Sequence, residues 1–404
     1  MDDPAGRGRT GFRTRAIHGS RASIARGELG KPVALPLVQT STFSFDSPEE
    51  MFEVFGDESR GYVYSRYRNP TVETAEEKIA AIENADFSLL FASGLAAIHA
   101  VLWTMVPSGG RVLVASDLYG GSADLMSRLL PRLGIEREIV DLGDGEALAR
   151  GLDRRPSLLF FETPTNPLLR VFDGPAICTR AKDAGVRVAV DGTFATPALQ
   201  NPLDWGADAV VHSATKYLGG HSDLVLGAVV GRGSLRDPLE KARRSLGAVA
   251  DPFAAWLLHR GLATLALRVR AASDSALRIA RALTSDPLVR RVRYPGLESD
   301  AGHAIAARQM RAFGGILSFD LAGGRDAAVR LMGGLRVIRL ATSLGGVETL
   351  LSHPATSSHR MLRPEERERA GIGEGLLRLA VGLEETEDLL GDLEQAMAGI
   401  SAER

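Results

Sequence analysis

The strongest constraint on this chain is a repeated alternation. Between residues 87 and 230, short apolar runs rich in strand-forming residues recur, each separated from the next by a helical or glycine-rich stretch. The runs are Phe87–Phe91, Arg111–Ala115, Ser157–Phe161, Arg187–Val190, Ala209–Val211 and Val225–Val230. They are apolar almost throughout, so both faces of each must be covered. A strand covered on both faces belongs in a largely parallel sheet with helices on either side. The rhythm therefore predicts an α/β fold.

Length extends the argument. The chain has 404 residues, more than the roughly 100–200 of an ordinary domain, so a second unit is expected. Residues 1–60 are rich in Arg, Gly, Pro, Ser and Thr without sustained periodicity and read as an extended arm that must lie on something, a neighbouring subunit being one candidate. Residues 61–255 hold the alternating strands. A helix is expected after Thr71, Thr74 and Glu76, another over Gly94–Met105, and a long one from Asp251 to about Ser285 leading into residues 256–404. In that last unit Gly315–Leu321 and Leu376–Val381 read as strands and Glu384–Met397 as a closing amphipathic helix. No internal repeat is visible.

Composition narrows the function. With 48 Lys+Arg against 50 Asp+Glu and a formal charge of -2, the chain lacks the cationic surplus that nucleic acid or an anionic membrane requires. No apolar run approaches the ~18 residues of a membrane span, and the first residues carry no signal-peptide core, so a cytoplasmic protein is expected. The single cysteine, Cys178, excludes an internal disulfide. The eight histidines show no ligand spacing, so no metal site is expected. Gly6-Arg7-Gly8-Arg9-Thr10-Gly11 matches a dinucleotide pattern, but no strand precedes it and no helix follows, and the mechanism needs both.

The informative segments sit at strand ends. Val188-Ala189-Val190-Asp191 is followed by His212-Ser213-Ala214-Thr215-Lys216 after the next strand. An acid at the carboxyl end of a buried strand stands where open α/β sheets bind ligands. The Ser213 and Thr215 hydroxyls suit phosphate oxygens, and a lysine among apolar residues and glycines loses enough basicity to form a Schiff base. Taken singly, Lys216 reads as a surface lysine and Asp191 as a turn residue. Jointly they match what pyridoxal phosphate (PLP) needs: an acid for the pyridine nitrogen, a lysine for the aldehyde and hydroxyls for the phosphate. Phe91-Ala92-Ser93-Gly94-Leu95-Ala96-Ala97 adds a strand-to-helix turn whose N–H groups would face an anion. Tyr119, in Asp117-Leu118-Tyr119-Gly120-Gly121, sits at another strand end, where it could stack on a flat ring.

These segments, with Thr14–Gly19, Ser41–Phe43, Tyr64–Thr71, Glu162–Pro167, Ser343–Leu350, His353–Thr356 and Leu377–Gly382, occur in an order that resembles the Cys/Met-metabolism (trans-sulfuration) family of PLP enzymes. The resemblance runs from about residue 10 to 395. It implies PLP fold type I: a mostly parallel seven-stranded sheet plus a smaller C-terminal α/β domain, usually in a homotetramer of two catalytic dimers. It further implies that Lys216 carries the cofactor, Asp191 partners the pyridinium, Tyr119 stacks on the ring, and Ser93, Gly94, Leu95, Thr193, Ser213 and Thr215 bind the cofactor. Tyr64 and Arg66 would reach the neighbouring subunit's phosphate. Asn166 would lie near cofactor and substrate, and Ser343 and Arg378 would hold the substrate carboxylate.

Within the family, the resemblance places cystathionine γ-lyase slightly ahead of cystathionine γ-synthase, then methionine γ-lyase and homoserine-ester sulfhydrylase. Glu348 resembles an acid that meets a distal ammonium in cystathionine-handling members. Methionine γ-lyases often have a cysteine soon after the stacking tyrosine, where this chain has Gly120-Gly121-Ser122. Asp191-Gly192-Thr193 departs from the usual Asp-Asn-Thr, which marks Gly192 as a position bearing on substrate. An aminotransferase of the same fold and a catalytically silent relative are the alternatives of other classes.

Overall fold

A computed structural model describes residues 10–20, 32–57, 60–360 and 363–402. Gly6 and Gly8, and most of the glycine pattern they belong to, lie outside these. Among the described residues the chain forms a seven-stranded and a five-stranded sheet. The larger sheet comprises β1 Phe87–Phe91, β2 Arg111–Ala115, β3 Glu136–Val140, β4 Leu158–Glu162, β5 Arg187–Asp191, β6 Ala209–Ser213 and β7 Gly227–Gly231, ordered β1-β7-β6-β5-β4-β2-β3. Strands β3, β2, β4, β5 and β6 run parallel, while β7 pairs antiparallel with both β6 and the edge strand β1, which runs in the same direction as the other five. Every residue of β1, β4 and β7 is buried, as the uninterrupted apolar runs require. Strand β3, Glu-Arg-Glu-Ile-Val, escapes the apolar pattern because it lies at the sheet edge with charged side chains in solvent.

Chain order makes the site. From β2 the chain crosses to β3 on one side and then returns past β2 to β4, so the order reverses between β2 and β4. A crevice opens at the carboxyl ends of strands flanking such a reversal. The loops leaving β2 and β4 carry Tyr119 and Asn166. Register adds the next groups, since Glu162 of β4 pairs with Asp191 of β5 and Ser213 of β6 with Gly227 of β7.

The smaller sheet comprises β8 Val289–Arg293, β9 Ile316–Leu321, β10 Arg339–Leu340, β11 Leu350–Ser352 and β12 Leu376–Ala380, ordered β10-β11-β12-β9-β8. Helices Leu265–Thr284, Gly324–Gly334 and Thr386–Ala402 share an apolar core with it. A second core runs from helix Pro70–Glu83, beneath the large sheet, to Ile316, Leu350 and Ala380 of the small one. The two sheets therefore rest on continuous packing rather than on a linker.

Two local expectations change. The long helix expected from Asp251 to about Ser285 is two, Pro252–Leu262 and Leu265–Thr284. At the break, the Gly261 carbonyl accepts from Arg268 Nη2 at 2.8 Å and Thr264 Oγ1 at 3.2 Å. Arg268 Nη1 also donates to the Tyr217 carbonyl at 2.9 Å, so the interruption aims a guanidinium at the chain beside Lys216. The segment read as an extended arm contains helices Phe12–His18 and Pro48–Gly56. Part of it lies on its own subunit, where Trp256 Nε1 donates to Leu35 O at 2.7 Å and Asn69 Nδ2 to Val38 O at 3.0 Å. Asn69 also caps helix Pro70–Glu83, accepting from Thr71 N at 2.9 Å, with Pro70 at the first helical position. Among the described residues no helix is long and apolar enough to cross a membrane.

Candidate active site

A cavity of about 560 Å³ occupies the crevice at the carboxyl ends of the large sheet. Its walls include Ser93, Gly94 and Leu95, then Tyr119, Asn166, Asp191, Thr193, Ser213, Thr215 and Lys216, and, from the second unit, Ser343 and Arg378.

One end presents a helix N-terminus. Ser93 caps helix Gly94–Met105 by accepting from Ala96 N at 3.2 Å. The N–H groups of Gly94 and Leu95 have no partner within the helix and lie at its positive end. Glycine is required here for closeness: a Cβ on Gly94 would lie 3.0 Å from Ser213 Cβ, and one on Gly227 would lie 2.1 Å from Ser93 O. Thr193 braces the opposite wall, its hydroxyl accepting from Ser213 N at 2.9 Å while its own N–H donates to Asp191 Oδ1 at 3.0 Å. The Thr215 hydroxyl is held by Leu226 N and O, both at 3.1 Å.

Two carboxylates, Glu162 buried and Asp191 half-buried, stand side by side beyond it. Burial raises the pKa of Asp191, and hydrogen bonds from Thr193 draw it back. Burial raises Glu162 well above the usual carboxylate range, the neighbouring Asp191 charge adds to this, and N–H donors oppose it. These environments push the pair apart, leaving Asp191 the more readily ionised. Glu162 accepts from Tyr119 N at 3.0 Å and Asn166 N at 2.6 Å, so one side chain ties the two loops at the order reversal. Nothing in the local sequence assigns Glu162 this work. Its only signal is an acid ending a buried strand in register with Asp191.

The other end joins the amine to a buried guanidinium. Lys216 Nζ donates to Ser343 Oγ at 2.9 Å. Burial lowers its pKa, and the Arg378 charge lowers it further. Arg378 donates to Asn166 Oδ1 at 2.9 Å and to the carbonyls of Ser343 and Thr342 at 2.9 and 3.2 Å. Its buried Nε has no partner among the described residues. Burial lowers this guanidinium to about 10. An incompletely satisfied buried guanidinium on the cavity wall suits an incoming carboxylate. The residues thus fit PLP: an anion cradle, an acid for a ring nitrogen, and an amine of reduced basicity between them.

Tyr119 is 43% exposed on the wall. The adjacent glycines allow close approach: a Cβ on Gly121 would lie 2.5 Å from the Tyr119 ring, and one on Gly120 would lie 2.2 Å from Ser358 O. The turn holding Ser358 supplies further wall residues, Ser357, Ser358 and Arg360, to which the sequence reading assigns no role.

Three expected site residues lie off the wall. Tyr64 and Arg66 are exposed, with Arg66 stacked on Tyr67 at 4.7 Å and donating to Arg244 O at 3.2 Å. Glu348 is half-buried and does not line the cavity. Gly192 also changes meaning. Its Cβ would point away from the cavity into β6, 2.8 Å from His212 Cε1 and 3.0 Å from Val210 Cγ1. Its smallness accommodates a buried ring whose Nε2 lies 2.5 Å from Glu83 Oε1, so the position answers to packing beneath the sheet rather than to substrate.

Residues 13–398 match the family described as Cys/Met metabolism PLP-dependent enzyme. An L-methionine gamma-lyase of Fusobacterium nucleatum subsp. nucleatum is 42% identical over 395 residues, 97% of this chain and 99% of the relative. An O-succinylhomoserine sulfhydrylase of Pseudomonas aeruginosa is 41% identical over 389 residues, 96% of each chain. A crystal structure of cystathionine gamma synthase from Xanthomonas oryzae pv. oryzae, in complex with cystathionine, superposes with a TM-score of 0.91 at 41% identity, covering 97% of this chain and 99% of that one.

Proposed function

This chain belongs to the Cys/Met metabolism family of PLP-dependent enzymes, and on that premise we propose that it replaces the γ-substituent of an O-acylhomoserine with a thiol. PLP is its cofactor, and its class is carbon–sulfur lyase or transferase acting on small amino acids. When bound, PLP supplies an electron sink for a carbanion at the substrate Cα.

The rest falls to the chain. Ser93, Gly94, Leu95, Ser213 and Thr215 hold the phosphate, Thr193 braces Ser213 and Asp191, and Asp191 keeps the ring nitrogen protonated. Arg378, oriented by Asn166, grips the substrate α-carboxylate beside Ser343. Lys216 then stands to take the Cα proton and return it elsewhere, its lowered basicity suiting both directions. Tyr119 covers the reacting carbons and serves proton transfer to the leaving group. Glu162 positions both Tyr119 and Asn166.

The observation that carries the reading is the Lys216–Ser343–Arg378 cluster facing the helix-end anion cradle across one cavity. Glu348 resembles an acid of cystathionine-handling members and does not line the cavity, so it does not separate replacement from cleavage. The preference for replacement is supported by the similarity, at 41% identity each, to an O-succinylhomoserine sulfhydrylase and a cystathionine gamma synthase. Cystathionine γ-elimination is the second reading, supported by the common machinery. On either, residues 61–255 form the cofactor domain, 256–404 the C-terminal domain and 1–60 an arm that, beyond the part lying on its own subunit, contacts the neighbouring one, in a cytoplasmic homotetramer of two catalytic dimers. Tyr64 and Arg66 would complete the phosphate site across the dimer.

The test is product analysis. The PLP-loaded enzyme is given O-succinyl- or O-acetylhomoserine with cysteine, cystathionine alone, or methionine alone, and products are identified by mass spectrometry. Formation of cystathionine from an ester and cysteine is expected to be fastest; faster release of 2-oxobutanoate from cystathionine would install the second reading.

A further inference from the structure

Among the described residues, Arg360 is the one wall cation that the chemistry above does not use. The described cations lining the cavity are Lys216, Arg378 and Arg360, and the described acids are Glu162 and Asp191. Lys216 and Arg378 have partners, and both acids stand at strand ends, Glu162 buried and Asp191 half-buried. Arg360 is exposed, and among the described residues its guanidinium has neither a hydrogen bond nor an ion pair.

Its backbone is well anchored. The turn before it is tied by Ser357 Oγ donating to His353 O at 2.7 Å and by contact between Ser358 Oγ and His359 Nδ1 at 2.9 Å. His353 is itself held, its ring nitrogens 3.0 Å from Thr356 Oγ1 and 2.9 Å from Glu374 O. The Ser358 carbonyl packs so closely on Gly120 that a Cβ there would collide with it. Arg360 is thus carried on a turn seated against the Tyr119 loop. Arg378 and Gly94, assigned above to the α-carboxylate and the phosphate, line the same cavity.

We propose that Arg360 determines specificity by pairing with a carboxylate at the far end of the substrate's γ-substituent. The inference rests on the γ-chemistry assigned above and deepens it. With the α-carboxylate and phosphate already provided for, a third cation on the turn against the Tyr119 loop fits a second carboxylate, and among the described residues no wall acid beyond Glu162 and Asp191 is there for an accompanying ammonium. Such a carboxylate comes from a dicarboxylic acyl ester or from the cysteine half of cystathionine.

Steady-state kinetics on the PLP-loaded wild type, Arg360→Gln and Arg360→Lys test it with two substrate pairs. O-Succinyl- and O-acetylhomoserine, each with cysteine, differ in the ester carboxylate; cystathionine and methionine differ in the amino-acid end of the sulfur substituent. Loss of a charge-assisted contact predicts a rise in KM of about 10- to 100-fold for the carboxylate-bearing member in Arg360→Gln. The preference over its partner falls by the same factor, kcat shifts little, and Arg360→Lys lies between. A loss confined to the first pair identifies the ester carboxylate, and one confined to the second the amino-acid carboxylate. An unchanged preference in both pairs, with wild type active, overturns the role of Arg360. A wild type inactive on all four substrates instead overturns the γ-chemistry, and this inference with it.

Discussion

At the scale of single residues, position relative to the sheet decides meaning. Asp191 and Gly192 are adjacent, yet Asp191 lines the cavity while Gly192 backs onto His212. Successive side chains at a strand end point to opposite faces, so a polar residue at 192 would enter packed space. Gly192→Asn is expected to cost about 1–3 kcal/mol by overpacking without altering substrate preference. Denaturant unfolding and the ratio of kcat/KM values for two substrates check this. An altered ratio in a fully stable variant would return Gly192 to the substrate site.

Among elements, capture of backbone groups by single side chains recurs. Glu162 holds the loops after β2 and β4, and Arg268 occupies the break between two helices. In the second unit, Asp392 of helix Thr386–Ala402 accepts from Arg336 N, Val337 N and Ile338 N at 2.8, 2.9 and 2.8 Å, fixing the lead into β10. Burial alone would raise its pKa; the three N–H donors outweigh that and hold it below the usual value. A depressed carboxylate stabilises the fold above its unfolded pKa of about 3.9 and loses that contribution as pH falls through its folded value. Asp392→Asn should therefore be less stable than wild type near neutrality, by about 1–3 kcal/mol. The gap should close below about pH 4, as thermal unfolding across pH would show. A gap independent of pH would mean that the carboxylate charge is not what matters.

For the whole molecule, the exposed arm is the main clue to assembly. Phe52 and Phe55 are 66% and 60% exposed, and Val33 is fully so, surface that an oligomer would cover. With Tyr64 and Arg66 also exposed and off their own chain's cavity, a site shared between subunits is expected. Lys216→Ala and Arg66→Ala subunits should each be nearly inactive alone, and co-refolding them should restore activity, because a mixed dimer regains one site with both groups. Sedimentation of the same samples reports the assembly size. No recovery in confirmed mixed oligomers would place Arg66 outside the partner's site.

The sequence alone determined the parallel core, the strand end carrying Asp191, the loop carrying Lys216, and the strand-to-helix turn at Ser93–Leu95. These are legible because periodicity and strand-end chemistry are local: an uninterrupted apolar run is buried wherever it lies, and the residue after it emerges at the edge. The edge strand β3 was hidden because charged edge residues weaken that same signal. Only the tertiary structure decided that Glu162 clasps Tyr119 and Asn166, that the turn bearing Arg360 rests on Gly120, and that Glu348 stands off the wall. Each depends on segments far apart in the chain meeting within a few ångströms, and such proximity is set by how the sheets and loops pack, not by the pattern of any one of them.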